Sequence, residues 1–514
     1  MSLRPTQICV AVLVLALAAA ARAADPEASP WFKAGRVAVK RAAEGAPVPH
    51  AKNAILFIGD GMGIATVTAS RILEGQRRGQ SGEENLLSFE KLPYTALSKT
   101  YTVDFQVGES AGTMTAMMTG VKTRSGVLGV DESAARGDFA AAKRASVPTL
   151  LERAEDRGLW TGVVTTTTVT HATPGGCYAH TPDRNWENDA ELPAPARAAG
   201  FPDIARQLVE FAHGDGIDVV FGGGRANFLP APAGSRGDGA DLTAEWTRRF
   251  PRGRVTTTRD ELLALDPVKT RHVLGLFSPQ HMSYEIDRAS SAPSEPSLSE
   301  MTAKAIEILA RSPKGFFLMV EGGRIDHGHH AGNAQRALTE TIEFARAVQV
   351  ALAKTNRKDT LIVVTADHSH TLTISGYPRR GNPILGLVVG SNGEGAPSNE
   401  PAKDLTGRPY TTLNYANGPG YTGKSDTQPE GSKRFPHRAT VVEGVKLGRP
   451  ELTDAAVTDP SYLQEATIAL PSETHGGEDV PIYAGGPGAR LFHGVQEQNF
   501  VYHALATALG LEKP

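Results

Sequence analysis

The stretch VEGGRIDHGHH, residues 320–330, places the carboxylates of Glu321 and Asp326 and the imidazoles of His327, His329 and His330 within eleven residues. It begins where the apolar run GFFLMV ends, and that run reads as a buried strand. Hard oxygen donors mixed with imidazole suit zinc, with magnesium where oxygens dominate. Asp326 and His330 stand four apart, so on a helix they share one face and either chelate one ion or pair as an ordinary side-chain contact. Asp60 in GDG, and Asp367 and His368 in ADHSH, are further donors, although each motif alone also reads as a polar turn. His171 and Thr173 add a ring and a hydroxyl in THATPGG. Ser110, in VGESAGTMTAMMTGVKT, precedes a helix-like run. Its hydroxyl either caps that helix or, beside a cation and the helix amides, acts as a nucleophile toward a phosphate-bearing substrate. The hydrolase elbow G-x-S-x-G expects a strand just before the serine, and TYTVDFQVGES is only a weak one.

These groups can meet only if the chain folds them onto one surface. Apolar runs recur at 54–63, 162–176, 218–225, 315–330 and 360–371, each leading into a polar cluster. Helical periodicity appears between them, in SVPTLLERAEDRG, MTAKAIEILARS and AQRALTETIEFARAVQVALAKT. Strands alternating with helices predict an α/β fold, with a mixed, mostly parallel central sheet covered by helices on both faces. In such sheets reactive groups gather at the carboxyl ends of the strands, where Asp60, His171, Thr173, Glu321, Asp326, Asp367 and His368 all fall. Residues 376–470, rich in Gly, Pro, Asn, Ser and Thr, read as a loop-rich insertion rather than an independent domain. SPWFKAGRVAVKRAAEG predicts an amphipathic helix over about 29–43, with Ser29 at its cap and Pro30 in its first turn.

A length of 514 residues allows a large core, and a composition 40% hydrophobic and 21% charged is that of an ordinary globular protein. A formal charge of −3 with no basic run argues against a nucleic-acid-binding role. Residues 1–23 carry Arg4, an uncharged run from Ile8 to Ala21 and small residues at Ala21 and Ala23, the pattern of a secretory signal peptide cut before Ala24. The apolar run is too short for a membrane anchor. Removing it takes away Arg4 and Arg22 and no acid, so the net charge becomes −5. Cys9 leaves with the signal and Cys177 has no partner, so no disulfide supports the exported chain.

Taken together, IGDGMG, GESAGTMTAMMTGVKT, THATPGGCYAHTPDRNW, FFLMVEGGRIDHGHH, VVTADHSHT and ETHGGEDVPIYAGGPGARLFHGVQEQ resemble the alkaline phosphatases. The resemblance runs from NAILFIGDGMG to GVQEQNFVYHALATALGL, so residues 24–514 are expected to form one catalytic domain of that family, with 376–470 as its crown-like insertion. It implies two zinc ions and one magnesium ion per subunit. One zinc would be held by Asp326, His330 and His475, and the other by Asp60, Asp367 and His368 with Ser110. Magnesium would take Asp60, Thr173 and Glu321, and His171 would stand beside that metal, as in the animal-type members. Arg184, in PDRNW, would clamp two phosphoryl oxygens. Phosphate monoesters would then be hydrolysed by double displacement through a phosphoserine on Ser110.

The same resemblance implies a homodimer, with the helix around Trp31 to Arg41 embracing the neighbouring subunit. Glu109 stands where the family usually has Asp. The LFEP segment of the animal calcium site reads LFSP here, at Phe277 and Ser278, so no calcium site is expected. A phosphodiesterase or sulfatase relative, and a non-enzymatic exported phosphate or metal binder, are the competing readings. The short signal and the lack of disulfides and of an apolar C-terminal tail favour a periplasm, with no stable membrane anchor and an extracellular home as the alternative.

Overall fold

The computed structural model describes residues 24–391, 395–404, 407–425, 427–437 and 449–512. The expected signal peptide, 1–23, and part of the insertion lie outside these. A ten-stranded sheet is built from β1 (Asn53–Gly59), β2 (Tyr94–Lys99), β3 (Trp160–Thr168), β4 (Val219–Gly223), β5 (Arg254–Thr256), β6 (Val273–Leu276), β7 (Phe316–Gly322), β8 (Thr360–Thr365), β9 (Val480–Gly485) and β10 (Gly494–Glu497). Their order is β10-β2-β9-β8-β1-β7-β3-β4-β6-β5. All neighbours run parallel except β9, which is antiparallel to both β2 and β8. The expected mixed, mostly parallel α/β sheet is therefore the observed one.

Side chains alternate across each strand, and the two sets enter separate cores. Ala54, Leu56 and Ile58 of β1 share one core with Phe317 and Met319 of β7 and Leu361 and Val363 of β8. That face is covered by α3 (Ser110–Thr119), α4 (Leu150–Asp156) and α8 (Phe500–Ala508). Ile55 and Phe57 point the other way, with Leu318, Val320, Ile362 and Val364, toward α5 (Leu298–Leu309) and α7 (Ala334–Lys354). Because both faces are covered, the central strands read as unbroken apolar runs rather than alternating ones. Phe57 is fully buried with its ring edge-on to Phe344, centroids 5.8 Å apart. Phe57→Ala is expected to cost about 3–5 kcal/mol, seen as a lowered thermal midpoint with unchanged metal content.

Two further helices anchor the periphery. Helix α1 (Pro30–Ala42) buries Phe32, Gly35, Val39 and Ala42 on one stripe. Phe32 packs on Tyr502 and His503 of α8, and a Cβ on Gly35 would lie 2.4 Å from His503 Cδ2, so only glycine lets the helices come this close. The helix's apolar stripe packs on its own chain, and Lys33, Arg36, Val37 and Lys40 lie on its other side. Ser29 sits at the cap position without a side-chain capping bond. Helix α2 (Ile64–Arg77) carries Ala69 and Leu73 into a third core with Leu338 and Ile342 of α7 and Leu372, Ile384, Leu413 and Tyr415. Residues of the insertion therefore share a core with α2 and α7. A short antiparallel bridge pairs His475 with His370 and ties the far end of the chain to the sheet's carboxyl edge.

Candidate metal and phosphate site

Asp60 follows β1, the strand held between β7 and β8, and so stands at the centre of the carboxyl edge. Asp60, Asp367 and His368 are fully buried there. His368 Nε2 lies 3.4 Å from Asp60 Oδ1 and 3.3 Å from Asp367 Oδ2. Both Asp60 oxygens and Asp367 Oδ2 have no hydrogen-bond partner among the described residues. Burial, together with Asp367, Asp326 and Glu321, pushes the Asp60 carboxyl well above its usual range. Such orphaned acids are expensive in a protein interior unless a cation meets them.

A second group forms around Asp326 and His330 of α6 (Arg324–His330), where the four-residue spacing does put both on one face. Asp326 Oδ1 lies 3.2 Å from His330 Nε2 and 3.4 Å from His475 Nε2. The two histidines are held from behind by backbone carbonyls: His330 Nδ1 is 2.6 Å from Glu473 O, and His475 Nδ1 is 2.9 Å from Gly108 O. A carbonyl only accepts, so each Nδ1 carries a proton, and a ring in its neutral form keeps a lone pair on Nε2. Without a metal, although burial opposes it, Asp326 raises the His330 pKa. These lone pairs face one another at 3.1 Å beside a carboxylate, an arrangement that calls for a cation. Burial opposes ionisation of Asp326, but His330, His370 and His475 hold its pKa well below the usual carboxylate value.

A third set joins Asp60 to Glu321 and His171, with Thr173 at Glu321's side. Glu321 Oε1, Thr173 Oγ1 and His171 Nδ1 are all buried and form no hydrogen bond of standard geometry among the described residues. Glu321 Oε2 accepts from the hydroxyls of Thr165 and Thr167. An oxygen-rich set of this kind suits magnesium better than zinc. The donors present thus fit three cations, with Asp60 shared between two of the groups.

Ser110 opens α3, but it does not cap it. Glu109 does, accepting from the amides of Ala111 and Gly112 at 3.0 and 2.7 Å and from Gly126 N at 2.7 Å. The serine is therefore the first helical residue, almost fully buried, with Oγ 3.3 Å from His368 Nε2. Arg184 points at the same place, donating from Nη1 to Glu109 Oε2 (2.6 Å) and from Nη2 to His171 Nε2 (2.9 Å). Burial disfavours a charged Glu109, but Arg184 and the amides hold its pKa below the usual value. With two of five N–H groups engaged, three remain for an incoming anion. At the position of the expected calcium difference, Ser278 Oγ donates to the His281 carbonyl at 3.0 Å.

The structure brings Asp60, Ser110, Thr173, Glu321, Asp326, His330, Asp367, His368 and His475 to one edge, with Glu109, His171 and Arg184 around them. Sequence reasoning passed over His370 and Glu473. His370 contacts Asp326 Oδ1 through Nε2 (2.8 Å) and Glu473 Oε2 through Nδ1 (2.5 Å). Although burial opposes it, Glu473 and Asp326 push its pKa up to about 10, so the ring is a cation that orients Asp326. The available signals were the second histidine of DHSH and the glutamate two residues before His475 in ETH. A further group, Asp215, Asp218 and His272, lies at the opposite edge, where Arg271 already bridges both acids.

The family model described as alkaline phosphatase matches residues 51–511. The chain is 44% identical to the alkaline phosphatase of Gadus morhua over 472 residues, 89% of this chain and 91% of that protein. It is 45% identical to the tissue-nonspecific isozyme of Gallus gallus, covering 89% and 84%. Among solved structures, Thermus thermophilus alkaline phosphatase superposes with a TM-score of 0.63 at 25% identity, covering 90% of this chain and 92% of that one. The enzyme of the Antarctic bacterium TAB5 gives 0.58 at 22% identity, covering 91% and 100%, and one of its variants has Mg bound in its M3 site.

Proposed function

The chain belongs to the alkaline phosphatase family and is a phosphoric monoester hydrolase; from this premise we propose that it works with two zinc ions and one magnesium ion through a phosphoserine on Ser110. The observation that carries the proposal is the pair of Nε2 lone pairs facing each other beside Asp326. Asp326, His330 and His475 would hold one zinc, Asp60, Asp367 and His368 the other, and Asp60, Thr173 and Glu321 the magnesium. Bound there, the cations would supply electrostatic stabilisation of the oxygens that enter and leave phosphorus.

The chain's own residues do the rest. Arg184, restrained from two sides, presents its remaining N–H groups to two phosphoryl oxygens of a dianionic monoester. Ser110 Oγ, at the amino end of α3, gives up its proton to solvent and forms a bond to phosphorus while the ester P–O bond breaks on the side of Asp326, His330 and His475. The alcohol leaves with a proton from solvent. Water attacks the phosphoserine from that same side and returns Ser110 to its hydroxyl as phosphate departs. Substituting Arg184 by Lys is expected to raise KM for a monoester roughly tenfold to hundredfold, because a point charge cannot reproduce the fork.

Metal analysis of the purified active chain tests the cofactor reading: two zinc and one magnesium support it, and full monoesterase activity with none removes it. Turnover of a diester or a sulfate ester in place of a monoester would favour the related readings. We also infer that residues 1–23 are a signal peptide, that 24–514 form one catalytic domain with 376–470 as its crown, and that the chain acts in a periplasm as a homodimer without calcium. The sequence supports the signal and its cleavage, and no helix of the described residues is long and apolar enough to cross a membrane. A mature chain beginning at Ala24 and sedimenting as a dimer is the expected result.

A further inference from the structure

Beside Arg184, three rings meet edge to face. His171 lies 5.5 Å from His281 and 5.7 Å from His327, and the last two are 4.5 Å apart. His281 follows β6, while His327 and Arg324 project from α6. The proton positions of the two outer rings are set by what touches them. The Thr168 amide donates to His281 Nδ1 at 3.1 Å, and Arg324 Nη1 donates to His327 Nδ1 at 2.6 Å. An amide and a guanidinium can only donate, so both Nδ1 atoms are acceptors and both neutral rings carry their proton on Nε2.

Neither Nε2–H donates to a described residue, and the buried Arg324 Nε has no partner among them. Arg324 lies over the Tyr284 ring at 3.9 Å, and no carboxylate among the described residues forms an ion pair with it. His281, His327 and Arg324 are each half-buried, and Arg324 Nε itself is buried. A metal is ruled out by the same tautomers, because a ring whose Nδ1 accepts has no free lone pair on Nε2. What remains is a cluster of donors with no acceptor, adjoining the arginine expected to hold the reacting phosphoryl group and next in sequence to Asp326.

We propose that Arg324, His281 and His327 form a subsite for a second oxyanion, supplied either by an anionic group on the substrate's leaving portion or by free phosphate. The inference rests on the monoesterase reading of the adjoining site. If the substrate supplies the oxyanion, the preferred substrates are phosphate monoesters whose alcohol bears a carboxylate or second phosphoryl group. Each donor-to-oxyanion bond is charge-assisted or made in a low-dielectric cleft, so loss of one should be felt about tenfold.

The test compares phosphoglycolate with ethyl phosphate, which differ by one carboxylate, using metal-loaded full-length wild type, His281→Ala and Arg324→Met. The expected result is a kcat/KM ratio, phosphoglycolate over ethyl phosphate, that falls about tenfold or more in both variants while ethyl phosphate stays within about threefold. If the ratio holds but inhibition by inorganic phosphate changes from biphasic in wild type to single-site in the variants, free phosphate is the occupant. If neither ratio nor inhibition moves, the subsite is overturned. Should His281→Ala fail to fold, Arg324→Met decides alone. A wild type that turns over neither ester would sink the monoesterase reading instead, and calorimetric titration with phosphate would then judge the subsite: one binding event fewer in Arg324→Met supports it, and an unchanged titration overturns it.

Discussion

Replacing Ser110 by alanine is expected to lower kcat for a chromogenic phosphate monoester by about a thousandfold or more, with metal content and thermal midpoint close to wild type. The substitution removes one oxygen and leaves the helix cap intact, because Glu109 rather than Ser110 accepts from the first amides of α3. It also leaves Asp60, Asp367 and His368 in place, so the cation site beside it keeps its three chain donors. A large loss of turnover with an unchanged fold would therefore report on the nucleophile itself. Trapping adds a second readout: wild type quenched in acid during turnover should carry phosphate on Ser110, and the variant none. Retention of more than about a tenth of the activity would mean that water attacks the ester directly and that Ser110 only positions its surroundings.

Chelation is expected to abolish activity and to lower the thermal midpoint by about 10 °C or more. A ligand present at a thousand times its Kd contributes about 4 kcal/mol to stability, and more than one ion is lost. The metal-free protein should also respond to pH in the opposite sense from the loaded one. Burial pushes Glu321 up to about 7 in the metal-free chain, and Asp60 and Asp367 are also raised. A carboxyl whose folded pKa exceeds its unfolded value binds more protons when folded, so it adds stability below the unfolded value and loses it as pH climbs to the folded one. For Glu321 that window runs from 4.5 to about 7. The chelated chain should thus lose on the order of 3 kcal/mol from this group across the window, while the loaded chain, whose acids are neutralised by cations, gains. Thermal melts at pH 5 and pH 8, with and without chelator, would show it. Parallel melting curves would mean that the acids are not held apart by a lost cation.

How far the site could be read in advance depended on the range of the forces involved. Asp60, Asp367 and His368 are each reached by leaving a strand, and the strands announce themselves by apolar runs because both sheet faces are covered. Asp326 and His330 share a face because a helix repeats every 3.6 residues. His370 escaped notice because its charge depends on Glu473, 103 residues away, which nothing local to DHSH reveals. The role of Ser110 as first helical residue rather than cap depended on Glu109 reaching Gly126 as well as the helix amides. For α1, the sequence revealed an amphipathic helix but not which surface its stripe would meet; Gly35 against His503 decided that.

The sequence by itself therefore determined the elements, their alternation into a mostly parallel α/β sheet, and the chemical type and approximate position of the donors other than His370 and Glu473, because periodicity and side-chain chemistry act over a few residues. Tertiary structure alone decided which atom of each donor faces inward. Nε2 of His330 and of His475 faces inward because the carbonyls of Glu473 and Gly108, remote in sequence, accept from Nδ1. A histidine's tautomer is set by the neighbour that the fold delivers, and here that neighbour turns two imidazoles into a place for a cation.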